Sequence, residues 1–163
     1  MKYMRLNQQQ QRDFLAELAD MPEYLASAFD HLSAEQKTER GADGSFSPIE
    51  HLWHLADLEN MGFATRIRRL LDEVHPALPD FEGGRIAREG NYRERDWQTG
   101  LDAFRATRKA NLERLRRLTP DQWQRHGTLE GVGDISLCDL PSLMAEHDDA
   151  HRAEIHDWLE QRS

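Results

Sequence analysis

Eight histidines occur in this 163-residue chain, and the spacing of a few of them suits metal chemistry. His147 and His151 are four residues apart, which on a helix stacks them one turn apart on one face. Leu140, Leu143, Met144, Ile155 and Trp158 fall on or beside that face, so both imidazoles are expected to point at a core. A buried imidazole needs a partner for each ring nitrogen, and neutral imidazole is the commonest metal ligand. The pair therefore reads either as a divalent-metal clamp or as two core histidines bonded to carboxylates or backbone. Upstream, Ser47-Pro-Ile-Glu-His-Leu-Trp-His-Leu-Ala-Asp-Leu-Glu59 places His51 and His54 within one broad stripe that also holds Leu55, Leu58 and Met61. A third imidazole from this segment would make a three-histidine set with an open position for water or substrate, the pattern of catalytic zinc. Periodicity does not choose between His51 and His54.

Other groups near these histidines could take part. Glu50 and Asp57 flank His54, and Glu154 lies close to the His147–His151 face. Each could bond the second nitrogen of a ligating imidazole or lie on a solvated surface. Asp148 after His147 gives His-Asp-x-x-His, a weak analogue of the zincin motif in which a glutamate is the general base. The Glu-x-x-His pairs of di-iron bundles do not occur. Cys138, the single cysteine, is expected in the first turn of the last helix as a small buried residue. It excludes an internal disulfide framework and fits a reducing cytoplasm.

The elements that must carry these residues are helices, because the 3.6-residue period dominates and strand alternation is nearly absent. Phe14, Leu18, Met21, Leu25, Phe29 and Leu32 form one stripe over about residues 7–32, with a kink or break expected at Pro22. The second helix starts clearly, with Ser47 as cap, Pro48 in the first turn and Glu50 completing a capping box, and is expected to reach Asp72. A connection with Pro76, Pro79, Gly83, Gly84 and Gly90 follows, long enough to cross over the molecule. The third helix is capped by Asp96 and runs from Trp97 to about Leu118, with Arg108 as the odd polar member of its inner stripe. Thr119-Pro120 starts a short turn through Trp123, and residues 126–134 read as loop. Ser136 with Asp139 resembles an N-cap for a fourth helix ending near Glu160. A weak echo between residues 31–36 and 117–122 suggests two helix–loop–helix halves. The reading is all-α, a single-domain four-helix bundle over residues 1–163 with a long crossover between helices 2 and 3.

Composition agrees. Hydrophobic residues are 38% and charged residues 31%, which suits one amphipathic layer around a core. No run approaches the roughly 20 apolar residues of a membrane span, and the N-terminus lacks a secretory pattern. The net charge of −9 argues against a nucleic-acid partner. The clusters Arg66-Arg68-Arg69 and Arg114-Arg116-Arg117 are expected on solvated helix faces. Trp53 is turned about 100° from His54 around the helix and could face a neighbouring subunit. The other tryptophans are expected as core or interface anchors.

The stretch Phe46-Ser-Pro-Ile-Glu-His-Leu-Trp-His-Leu-Ala-Asp-Leu-Glu59, taken with Glu146-His-Asp-Asp-Ala-His-Arg-Ala-Glu-Ile155, resembles the DinB-like metalloprotein superfamily. The segment 66–80, with Arg-Arg-Leu-Leu and Pro-Ala-Leu-Pro-Asp, resembles a subgroup of it. The resemblance implies a four-helix bundle with a three-histidine site, in which the His-Leu-x-Asp motif supplies one ligand and a His-x-x-x-His pair the others. Carried onto this chain, the ligands are His54, His147 and His151. It further implies a divalent ion, zinc or nickel foremost, and either hydrolysis or S-transfer with a low-molecular-weight thiol cosubstrate. The expectation is a cytoplasmic metal-dependent transferase or hydrolase acting on a small molecule, with a homodimer as the natural assembly. A non-catalytic, metal-stabilised structural or sensory module is the alternative, and a metal-free helical interaction domain the third.

Overall fold

The structure is a computed structural model that describes residues 5–162. The first stripe is broken, as Pro22 dictates. α1 (Gln8–Ala19) starts at a complete capping box between Asn7 and Gln10, and α2 (Met21–Ala28) begins afresh with Pro22 in its first turn. α3 (Pro48–Asp57) opens at the expected Ser47–Glu50 capping box. It passes without a break into a π-helical turn, Leu58–Phe63, and on into α4 (Ala64–Asp72). α6 (Trp97–Arg116) is capped by the Asp96 side chain on Thr99, and α7 (Pro120–Trp123) is the short turn after it. α8 (Leu140–Glu160) closes the bundle.

The π turn changes what faces inward. A π-helical turn carries more residues than an α turn and so rotates everything after it. Met61, expected on the inner stripe, is 44% exposed, while Gly62, Phe63, Arg66, Ile67 and Leu70 are buried. Arg66 thereby leaves the solvated face on which its two neighbours, Arg68 and Arg69, remain.

The connection between the second and third long helices is not structureless. It holds β1 (Ala77–Leu78), α5 (Gly83–Gly90) and a 3-10 turn at Tyr92–Glu94. The segment read as a glycine loop forms β2 (His126–Leu129) and β3 (Gly133–Ser136), an antiparallel hairpin. Gly131 and Gly133 adopt φ of +80° and +104°, which suits residues without Cβ and lets the chain reverse there. β1 adds in parallel, pairing Leu78 with Leu129, to make a small sheet in the order β1-β2-β3. Because β3 runs through Ser136, this residue does not cap α8. Its N–H and hydroxyl bond the Asp139 carboxylate, and the helix starts at Leu140. Cys138 precedes the helix and is buried, its thiol bonded to the backbone of Leu6.

The core has two apolar sections. One gathers Leu15, Leu18, Phe63, Ile67, Leu70, Leu112, Leu115 and Met144 with residues of the sheet. The other gathers Met21, Leu25, Phe29, Leu52, Leu55, Phe104, Ile155 and Trp158. Burial of each such large side chain stabilises the fold by roughly 1.5–3 kcal/mol. On α6 and α8 a polar layer separates them: Arg108 lies between Phe104 and Leu112, and His147, Asp148 and His151 lie between Met144 and Ile155. Trp53 is half-buried against the start of α6. Its indole N–H donates to the Asp96 carbonyl, and the ring lies against Gly100 of α6. Among the described residues no helix is long and apolar enough to cross a membrane.

Candidate metal centre

His54, His147 and His151 come together although more than 90 residues separate His54 on α3 from His147 on α8. One ring nitrogen of each lies within 4.8 Å of the other two. The rings of His54 and His147 stack at 5.5 Å, and His151 meets them at 4.9 and 4.7 Å. Metal–nitrogen bonds of about 2.0–2.1 Å require only a small closure of such a cluster.

The residues fit a divalent ion on two counts. First, Nδ1 of His54 and Nδ1 of His147 are buried with no hydrogen-bond partner among the described residues. Leaving such an atom unpaired costs about 1–3 kcal/mol, so the fold alone gives no reason to keep two of them side by side. Second, the cluster is held neutral, the form in which imidazole ligates. Burial, then the charge of His147, pushes His54 down to about 4. Burial, then Arg108 and Arg66, does the same to His147. His151, buried and ringed by the other histidines, is pushed down to about 2.

The walls are specific. Phe46 and Phe81 pack on the His54 ring at 5.6 and 5.9 Å. The first residue of α5 is Gly83, where any Cβ would run into the His54 imidazole, so glycine is needed for the crossover to close over the site. A cavity of about 330 Å³ adjoins His54 and His147, lined also by Phe63, Arg66, Asp80 and Leu143. The guanidinium of Arg66 lies 5.3 Å from the centre of the Phe63 ring.

The carboxylates near the histidines take other roles. Glu50 completes the capping box and receives Arg40 at 3.0 and 3.1 Å. Asp57 accepts the Tyr92 hydroxyl at 2.5 Å. Asp148 turns away from the cluster and binds Arg108 with both oxygens, which leaves the zincin analogy without its base. Glu154 stands 3.9 Å from Nε2 of His51. His51 is not in the three-histidine group; its Nδ1 meets Nδ1 of His151 at 2.8 Å. Arg66, Phe81 and Gly83 are the wall residues that helical spacing did not bring forward. Only the π turn aims Arg66 inward, and only the crossover delivers the other two. Arg108 did carry a signal, as a cation on an apolar stripe.

Comparison with known proteins follows the same lines. No curated protein matches. A solved structure, that of YfiT from Bacillus subtilis, described as a probable metal-dependent hydrolase with an unusual four-helix bundle topology, matches with a TM-score of 0.87. The match covers 96% of this chain and 90% of that one at 20% identity, and so shows a shared fold. The model of the DinB superfamily matches residues 17–155, a span that contains all three clustered histidines. Because that model spans most of the chain, the chain belongs to the DinB superfamily.

Proposed function

We propose that His54, His147 and His151 hold one divalent metal ion, zinc or nickel, and that the protein is a metal-dependent enzyme acting on a small molecule bound in the adjoining cavity. The observation that carries this is the pair of orphaned Nδ1 atoms, on His54 and His147, beside a cavity of about 330 Å³. Three protein ligands leave a coordination position for substrate or water. A divalent ion there would supply Lewis acidity to a water or a thiol, giving a nucleophile at neutral pH. The chain's own residues do the rest. Phe46, Phe81 and Gly83 enclose His54. Leu58, Phe63, Leu129, Val132 and Leu143 offer an apolar wall to the body of a substrate. The description of YfiT favours hydrolysis over transfer to a thiol cosubstrate. A structural or sensory module would have no need of a cavity opening beside two of its ligands.

The test is to purify the protein without chelator or a metal-binding tag and measure bound metals by plasma mass spectrometry, alongside His54→Ala. About one equivalent of zinc or nickel is expected, lost in the variant. Ester and amide substrates, with and without low-molecular-weight thiols, are then screened on the loaded protein. Absence of metal, even after soaking with divalent ions, would overturn the reading.

A further inference from the structure

His51 and His151 face each other through Nδ1 atoms 2.8 Å apart, with rings perpendicular at 89°. Two like nitrogens this close make a hydrogen bond only if one carries the proton and the other offers its lone pair. In one arrangement His151 donates from Nδ1. Its Nε2 is then a bare lone pair that can ligate a metal. In the other, His51 donates, the His151 proton moves to Nε2, and the neutral ring has no lone pair left for an ion. The state of His51 therefore decides whether His151 is a ligand at all.

The surroundings of His51 select the first arrangement. Its Nε2 lies 3.9 Å from the Glu154 carboxylate, so a proton on that nitrogen faces negative charge. Nδ1 of His51 is then the acceptor. The ring is 1% exposed and packed edge-on to Phe46, so water does not compete for the contact. Glu154 sits three residues from His151 on α8, as His51 sits three from His54 on α3, so the two helices bring these outer residues to face each other. His51, His151 and Glu154 could themselves be taken for a metal group, since one ligand atom of each lies within 4.8 Å of the others. The 2.8 Å Nδ1–Nδ1 contact speaks against it. Two nitrogens at about 2.0–2.1 Å from one tetrahedral zinc stand roughly 3.3 Å apart.

We propose that His51 is a positioning residue which, biased by Glu154, holds His151 as its Nδ1–H tautomer and so frees Nε2 of His151 for the metal. The proposal rests on the reading of His151 as a ligand, but its first test does not need the metal. Long-range proton–nitrogen NMR on the metal-free protein should place the proton of His151 on Nδ1 and that of His51 on Nε2. The opposite assignment overturns it. The second test is zinc affinity, measured by competition with a chromophoric chelator, for the native chain, His51→Phe and His51→Asn, each checked for helical content. His51→Phe, which has no acceptor, should bind zinc about 10–100-fold more weakly. His51→Asn, whose side-chain oxygen can stand in for Nδ1, should recover most of the loss. Equal affinity in native and Phe variants, or equal loss in Phe and Asn, overturns the proposal. So does X-ray absorption showing a fourth imidazole on zinc that disappears in His51→Phe. If the native chain binds neither zinc nor nickel, the metal-centre reading fails, and the tautomer spectrum still decides which of the two histidines donates.

Discussion

Two polar regions lie within a turn of each other in the middle of the bundle, and they are built on opposite terms. In one, Arg108 of α6 donates Nε to Glu59, Nη1 to the Leu18 carbonyl and to Asp148, and Nη2 to Asp148, all at 2.8–3.0 Å. Asn111 donates to the remaining Glu59 oxygen at 2.8 Å. Every charge there has a partner, and burial, which pushes the Glu59 carboxyl up, is opposed by Arg108 and Asn111. In the other region, His54 and His147 each leave a buried Nδ1 unbonded. The same two helices serve both: Glu59 is five residues after His54, and Asp148 follows His147 directly. A saturated network explains itself by folding. Two neighbouring imidazoles left unsatisfied do not, and that contrast is what supports the proposed metal centre. The third orphan, Asp139 Oδ1, is of a milder kind, since its partner oxygen is bonded by Ser136.

The contrast can be broken in several ways. The largest expected effect is on the histidine side. His54→Ala or His147→Ala should reduce bound metal from about one equivalent to background by mass spectrometry, with the helical circular dichroism retained. Retention of metal in either variant would end the distinction. Next comes Arg108→Met, which strands two buried carboxylates and should lower stability by about 3–5 kcal/mol in urea denaturation. His147→Leu in the chelator-treated protein should go the other way, leaving stability equal or raised by about 1 kcal/mol, because it removes an unpaired polar atom.

A fourth prediction concerns pH in the metal-free protein. The clustered histidines are pushed down to about 4 or below in the fold, whereas in the unfolded chain they titrate near 6.5. Between those values the unfolded chain binds protons that the folded one does not, so stability falls as pH drops from about 6.5 toward 4 and is fully present above that window. The denaturation midpoint of a variant with all three histidines changed to leucine should depend less steeply on pH there. The smallest effect is expected from Glu50→Ala. Loss of the capping box should cost about 1 kcal/mol and leave the metal content unchanged. A loss of metal would restore Glu50 to the site.

The sequence alone determined the helices, and its spacing brought the histidines forward as candidates. Apolar stripes every three or four residues, the Ser47–Glu50 box and Pro22 mark helices because those signals act within one turn of chain. The four-residue spacing of His147 and His151 places them on one face of α8 by the same short-range rule. What spacing could not show is everything that depends on residues far apart. The choice of His54 over His51 came from family resemblance; the tertiary structure adds that His54 lies with His147 and His151, and that Nδ1 of His51 meets Nδ1 of His151. The π turn that exposes Met61 and buries Arg66 has no short-range signature, because it is a register change settled by packing on both sides. The small sheet was missed since β1 is two residues long and exists only by pairing with a strand some fifty residues away. Arg108 was visible as an anomaly on its stripe. Only the tertiary structure brings Glu59, Asn111 and Asp148 to it, because a buried charge is tolerated solely where distant chain segments converge to bond it.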